Sequence, residues 1–147
     1  MITIETYFED YDDILMEIKD LNIELISLKN DWYELTGTNF DKIIVSGYKN
    51  IDIANQLHLI LEKEKKLEKK IAEKEEFRKS CEIIYLSKMK NRKAKRIIRL
   101  SFLEKLSNKQ ISYNLNLSYD RIRHLKKEAI IEFENILNEK TTQNSTK

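Results

Sequence analysis

Almost nothing in this chain interrupts a helix. It contains no proline, and its only glycines, Gly37 and Gly47, stand ten residues apart. Inside a helix proline costs about 3 kcal/mol and glycine about 1 kcal/mol relative to alanine, so these residues are the usual punctuation. Here the punctuation is confined to one place. The sequence therefore predicts an all-α fold, with long helices on either side of a single loop at Thr36–Lys49.

The first helix, expected from about Thr3 to Leu35, carries two apolar series. Ile4, Tyr11, Ile18, Leu25 and Trp32 recur every seven residues, and so do Tyr7, Ile14, Leu21, Leu28 and Leu35. Offset by three, they occupy the a and d positions of a heptad and predict a seam packed along another helix. A second helix, expected from about Asn50 to Leu86, offers Ile53, Leu57, Ile60, Leu67, Ile71, Phe77, Cys81 and Ile84, with Glu64 as an interruption. An antiparallel hairpin is the simplest arrangement. The same heptads are expected to join two chains as a homodimer or to take another helical protein. The loop, with Ile43, Ile44, Val45 and Tyr48, is expected to pack over the hairpin end rather than to form a ligand site.

The net charge of +2 hides a strong polarity. Residues 1–50 hold 4 Lys/Arg against 11 Asp/Glu, residues 51–87 hold 8 of each, and residues 88–137 hold 13 against 5. The acidic part is repelled by phosphate, whereas the basic part suits a polyanion. These shifts divide the chain into a helical hairpin or coiled coil over 1–87, a basic module over 88–137 and a polar tail over 138–147, expected to be disordered. Within the basic module Lys88–Leu106 reads as one helix. Lys88, Lys90, Arg92, Lys93, Lys95 and Arg96 form its basic half, and Ile97, Ile98, Leu100, Phe102, Leu103 and Leu106 its apolar half.

The next stretch, Leu106–Ala129, has the pattern of a helix-turn-helix. Leu106, Ile111, Leu115, Leu117, Ile122, Leu125 and Ala129 form two short apolar stripes that meet at Asn116. Asparagine tolerates the left-handed backbone of a tight corner, and Ser118 supplies an N-cap oxygen for the second helix, which is expected over 118–137. With the apolar residues turned inward, the outward face carries Tyr119, Asp120, Arg123, His124 and Lys127, flanked by Arg121 and Lys126. A helix is narrow enough to enter the major groove of DNA, and such a face can contact it there. Double-stranded DNA is therefore the expected partner.

At these residues the chain resembles known proteins. RIRHLKKEAI at 121–130 is similar to the end of the helix-turn-helix in region four of sigma factors. The wider pattern, LEKLSNKQIS, a short turn and SYDRIRHLKKEAI, resembles the sigma-like C-terminal domain of ArpU/RinA-type phage transcriptional regulators, and IIVSG at 43–47 echoes a short loop of that group. Asn116 stands where glycine is usual and Ser112 where a small alanine is common. The resemblance covers about a third of the chain. It implies a sequence-specific regulator of phage or prophage late genes, without the sigma regions that bind the −10 element and melt DNA. Carried over residue by residue, it makes Tyr119, Asp120 and Arg123 base-reading. Arg123 would donate to a guanine and Asp120 would accept from a cytosine amino group. Lys109, Arg121, His124, Lys126 and Lys127 are expected on phosphates, with Lys90, Arg92 and Lys93 along the backbone. RNA polymerase is a further partner that the resemblance implies.

Other classes find little support. The single Cys81 allows no internal disulfide, which fits a bacterial cytoplasm, and it has no Cys or His neighbour at metal-ligand spacing. No cofactor motif or catalytic constellation is present, so the chain is not expected to be an enzyme. No apolar run is long enough for a membrane span, and the acidic start does not resemble a signal peptide. Two alternatives remain: a DNA-binding packaging component like a small terminase subunit, and a helical adaptor for RNA polymerase or another protein.

Overall fold

The computed structural model describes residues 1–37 and 47–145, with side chains over 1–35 and 52–139. Among the described residues the chain is all helical. Helices α1 (Ile4–Gly37), α2 (Gly47–Ile84), α3 (Arg92–Ile98), α4 (Asn108–Leu115) and α5 (Tyr119–Ser145) follow in order, with a 3₁₀ turn at Leu86–Lys88 and a π-helical segment at Arg99–Leu103. The expected packing of the loop over the hairpin end falls outside the described residues.

Two compact units form, one from Tyr11–Glu75 and the other from Met1–Asp10 together with Glu76–Lys147. This division departs from the boundary at residues 87 and 88 read from charge. Charge marks a surface, but a unit is defined by its core, and the second unit recruits apolar residues from both ends of the chain.

In the Tyr11–Glu75 unit α1 and α2 run antiparallel. Glu17 pairs with Lys70 at 2.6 Å and Glu24 with Lys63 at 2.7 Å, so seven residues forward on α1 match seven backward on α2. Lys29 and Glu64 add a third rung at 3.0 Å, so Glu64 joins the pairing rather than breaking it. Half-exposed pairs of this kind contribute about 0.2–1 kcal/mol each, enough to set register but not to hold the hairpin. Apolar burial does that. Tyr11, Ile14, Ile18, Leu21, Leu25, Leu28, Trp32 and Leu35 are all buried or half-buried within the chain. On α2 the inward positions are Ile53, Gln56, Ile60, Lys63, Leu67, Lys70 and Lys74, again with a period of 3.5. Leu57 and Ile71, expected in that stripe, are each 41% exposed. They lie one residue past the seam, where Gln56 and Lys70 sit instead. Lys63 and Lys70 reach across to Glu24 and Glu17 of α1 while their stems cover the seam, and Lys74 pairs with Glu75 on its own helix.

Ile4 and Tyr7 leave the heptad seam for the other unit, where Ile4 is buried and Tyr7 joins an aromatic core. Tyr7 lies 4.9 Å from Phe8, 5.0 Å from Tyr85, 5.2 Å from Phe77 and 5.5 Å from Phe133, centroid to centroid. Phe8, off the heptad and buried, stacks on Phe102 at 5.1 Å and on Phe133 at 5.8 Å. The start of the chain is then clipped to α5. The Ile2 amide donates to Asn138 Oδ1 at 2.7 Å, Asn138 Nδ2 returns a bond to the Ile2 carbonyl at 3.1 Å, and the Ile4 amide donates to Glu134 Oε2 at 2.9 Å. These bonds satisfy donors at the start of α1 that have no helical acceptor. They also correct the expected tail: α5 does not stop at Leu137 but runs to Ser145, through an Asn138 that is engaged on both sides.

Candidate nucleic-acid interface

The framework of the helix-turn-helix begins later than one helix over Lys88–Leu106 would require. Leu86 and Met89 are buried around the 3₁₀ turn, and the Lys90 amide donates to Glu132 Oε1 at 2.9 Å, outside any helix. Asn91 then caps α3, its side chain accepting from the amides of Lys93 at 3.0 Å and Ala94 at 3.3 Å. Past Ile98 the backbone widens into the π segment, closed by Glu104 N–H to the Arg99 carbonyl at 2.9 Å, and it leaves the helix at Lys105 with φ of 59°. The widened turn delivers Phe102 to the aromatic core while Ile97 and Ile98 stay buried.

α4 opens with a capping box that sequence reading passed over, although its signal, Ser107-x-x-Gln110, was present. Gln110 N–H donates to Ser107 Oγ at 3.2 Å and Ser107 N–H to Gln110 Oε1 at 2.9 Å. The helix ends at Asn116, which takes the left-handed conformation at φ 54°, ψ 42°. Ser112 has a use at the corner: its hydroxyl donates to the Leu117 carbonyl, whose amide bonds the Ser112 carbonyl at 3.2 Å. Ser118 Oγ accepts from the Arg121 amide at 3.2 Å and starts α5. Ile97, Ile111, Ile122 and Leu125 form the buried core between the three helices, with Leu100, Leu106, Leu115 and Leu117 packed against it.

This framework fixes what faces outward. Tyr119, Asp120, Arg121, Arg123, His124 and Lys127 are all exposed. Asp120, Arg123, His124 and Lys127 fall at i, i+3, i+4 and i+7 and line one shallow depression along α5. Lys126 does not join them. It is half-buried, its Nζ 5.7 Å from the Phe102 ring centroid and 3.3 Å from Asn108 Oδ1, so it braces α5 against the framework. Lys109 is exposed on α4. On the other side of the corner, Arg92, Lys93 and Arg96 line a groove floored by Leu115 and Leu117, just before the α5 cap. Arg96 is part of the basic stretch in the sequence, and its spacing of three from Lys93 places it on the same exposed face.

Compared with protein-family models, curated proteins and solved structures, the chain matches none.

The charges sort into two kinds. Arg99 makes a bidentate pair with Glu82, one bond being Nη2 to Oε2 at 2.8 Å, and Arg78 pairs with Glu104. Both tie α2 to the π segment and its exit, and hydrogen bonding from Arg99 holds the Glu82 carboxyl below its usual range. By contrast, Arg92, Lys93, Arg96, Lys109, Arg121, Arg123 and Lys127 make no ion pair among the described residues. Seven cations left without counter-charges on a small unit form an electrostatic footprint for an anion.

Other reactive groups are spoken for. Cys81 is fully buried and its thiol is pushed up to about 11 by burial, so it is a core residue rather than a nucleophile. The Tyr7 hydroxyl beside it is raised too, again mainly by burial. His58 is exposed and pairs with Glu62 at 3.3 Å on its own helix. Among the described residues no cluster of His, Cys, Asp and Glu could hold a metal, and no helix is long and apolar enough to cross a membrane.

Proposed function

We propose that this chain is a sequence-specific DNA-binding transcriptional regulator, of phage or prophage late genes as the sigma-like resemblance implies, acting in the bacterial cytoplasm on the nucleoid. The reading rests on one observation: a capped helix at a helix-turn-helix corner presents Asp120, Arg123, His124 and Lys127 outward with no ion pair to occupy them. A helix N-terminal half so placed enters the major groove and reads base edges. Arg123 forks onto guanine O6 and N7, Asp120 accepts from a cytosine amino group, and Tyr119 meets a thymine methyl or a phosphate. His124, Arg121, Lys127 and Lys109 take phosphates around the groove, and Arg92 and Lys93 take the strand beside the corner. Lys90 and Lys126 drop out of that set, the first for its place outside α3 and the second for its inward side chain. RNA polymerase is the second partner this reading implies.

The test uses the full chain and fluorescence anisotropy on duplexes selected from a random pool. Binding should fall steeply with salt, because each phosphate contact contributes about 0.9 to the slope of log affinity against log salt. Arg123→Ala should cost about 1–3 kcal/mol on the selected site and little on random DNA. Lys127→Ala should weaken both equally. A folded chain that binds no duplex at low salt overturns the reading.

A further inference from the structure

The hairpin unit buries one face of α1 and leaves a second apolar stripe outside. Met16, Ile23, Ile26 and Tyr33 are 57–62% exposed, at steps of seven, three and seven, the spacing of the buried seam. On α2, Leu57, Leu61 and Ile71 are 41–49% exposed. Large apolar residues repeated in line along a helix mark a protein-binding surface, unlike single exposed ones. The seam is already covered within the chain, so the heptads that sequence reading offered to a second chain are not free for one. Only the outer stripes are.

The charges beside these stripes are complementary. Lys19 interrupts the α1 stripe and Asp20 flanks it; Glu68 interrupts the α2 stripe and Lys65 flanks it. All four are exposed, and none has an ion pair among the described residues. An antiparallel pairing that sets Met16 against Ile71 also sets Ile26 against Leu61, since each pair is ten residues apart on its own helix. The same register brings Lys19 to Glu68 and Asp20 within a turn of Lys65. A heptad shift in one direction sets Ile23 against Ile71 and Tyr33 against Leu61 but places Ile26 against Glu68, and in the other it places Lys19 against Leu61, so only the first register pairs Lys19 with Glu68.

We propose that these outer stripes are a self-association surface whose occupant is a second copy of this chain, with α1 of one copy antiparallel to α2 of the other and Lys19 paired to Glu68 of the second copy. A two-fold axis makes the contact twice and closes the assembly. The ion pair fixes register more than affinity, as polar residues do in coiled-coil seams. The proposal stands whether or not the chain binds DNA.

The experiment is sedimentation velocity of the full chain without DNA. A dimer is expected at micromolar concentration. Ile26→Asp, at an exposed position, should leave the helical signal unchanged and raise the dissociation constant about tenfold or more. Lys19→Glu should weaken the dimer, and adding Glu68→Lys should restore it. A wild-type monomer at about 50 µM overturns the proposal, since the contact would then be too weak to matter. So does an open series of larger species, a dimer that survives Ile26→Asp, or a Lys19→Glu loss that Glu68→Lys does not repair.

Discussion

Phe8 lies 94 residues before Phe102 and 125 before Phe133, yet it is the ring on which both stack. Phe8→Ala should therefore destabilise the helix-turn-helix unit without touching any residue proposed to meet DNA. Removing a fully buried phenylalanine costs about 3–5 kcal/mol through lost burial and the cavity left behind. Each ring pair given up accounts for about 0.5–1.5 kcal/mol beyond area burial, and Phe8 has partners in Tyr7, Phe77, Phe102 and Phe133. A loss near 4 kcal/mol is a large fraction of the roughly 5–15 kcal/mol that holds a domain together, and it should lower Tm by roughly 8–16 °C in a chain of this size. Urea unfolding followed by far-UV circular dichroism measures the loss. Trp32, the only tryptophan, sits in the hairpin unit, so its fluorescence reports that unit separately. Ile83→Ala, at a position 63% exposed, serves as the control and should change stability by no more than about 0.5 kcal/mol. A Phe8→Ala loss under about 1 kcal/mol would refute the core described here. The same core predicts that residues 88–137 alone do not fold, because Tyr7, Phe8, Phe77 and Cys81 all lie outside them.

The Glu82 carboxyl, lowered by Arg99, contributes stability that is present above the ordinary carboxylate range and lost as pH falls through its lower folded value. Thermal melts between pH 5 and 3 should therefore show a shallower loss for Glu82→Gln than for the wild type, and identical slopes would deny the pair any energetic role. Asn116→Gly should be neutral or stabilising, because glycine takes the left-handed corner freely, whereas Asn116→Ala should cost about 1 kcal/mol in chemical denaturation.

Much of this architecture can be read from residues alone, because its signals are local. The absence of proline, the heptad on α1, the left-handed Asn116 and the Ser118 cap each depend on a handful of neighbouring positions. The sequence is less direct where a position's role is set from far away. Ile4 and Tyr7 continue the heptad without a break, yet both belong to the other unit, where Tyr7 meets the rings of Phe77, Tyr85 and Phe133. Leu57 and Ile71 look more suited to a seam than Gln56 and Lys70; the facing Glu17 of α1 explains Lys70, and nothing in the structure explains Gln56. The tail from Asn138 has a disordered composition, but Ile2 gives that asparagine a partner. The interface follows the same rule: exposure of Arg123 and Lys127 follows from helix phase, whereas the inward turn of Lys126 depends on Phe102 and Asn108.

The bonds between Ile2 and Asn138 span 136 residues, and that span has a consequence for synthesis on the ribosome. Both long helices of the hairpin are made before the corner at Asn116, so the Tyr11–Glu75 unit can close while translation continues. The helix-turn-helix unit cannot, because its first ten residues wait for partners near position 138. At about 5–20 residues per second the delay amounts to several seconds. A nascent chain should therefore pair its long helices early and complete the unit that carries Arg123 and Lys127 only near the end of synthesis.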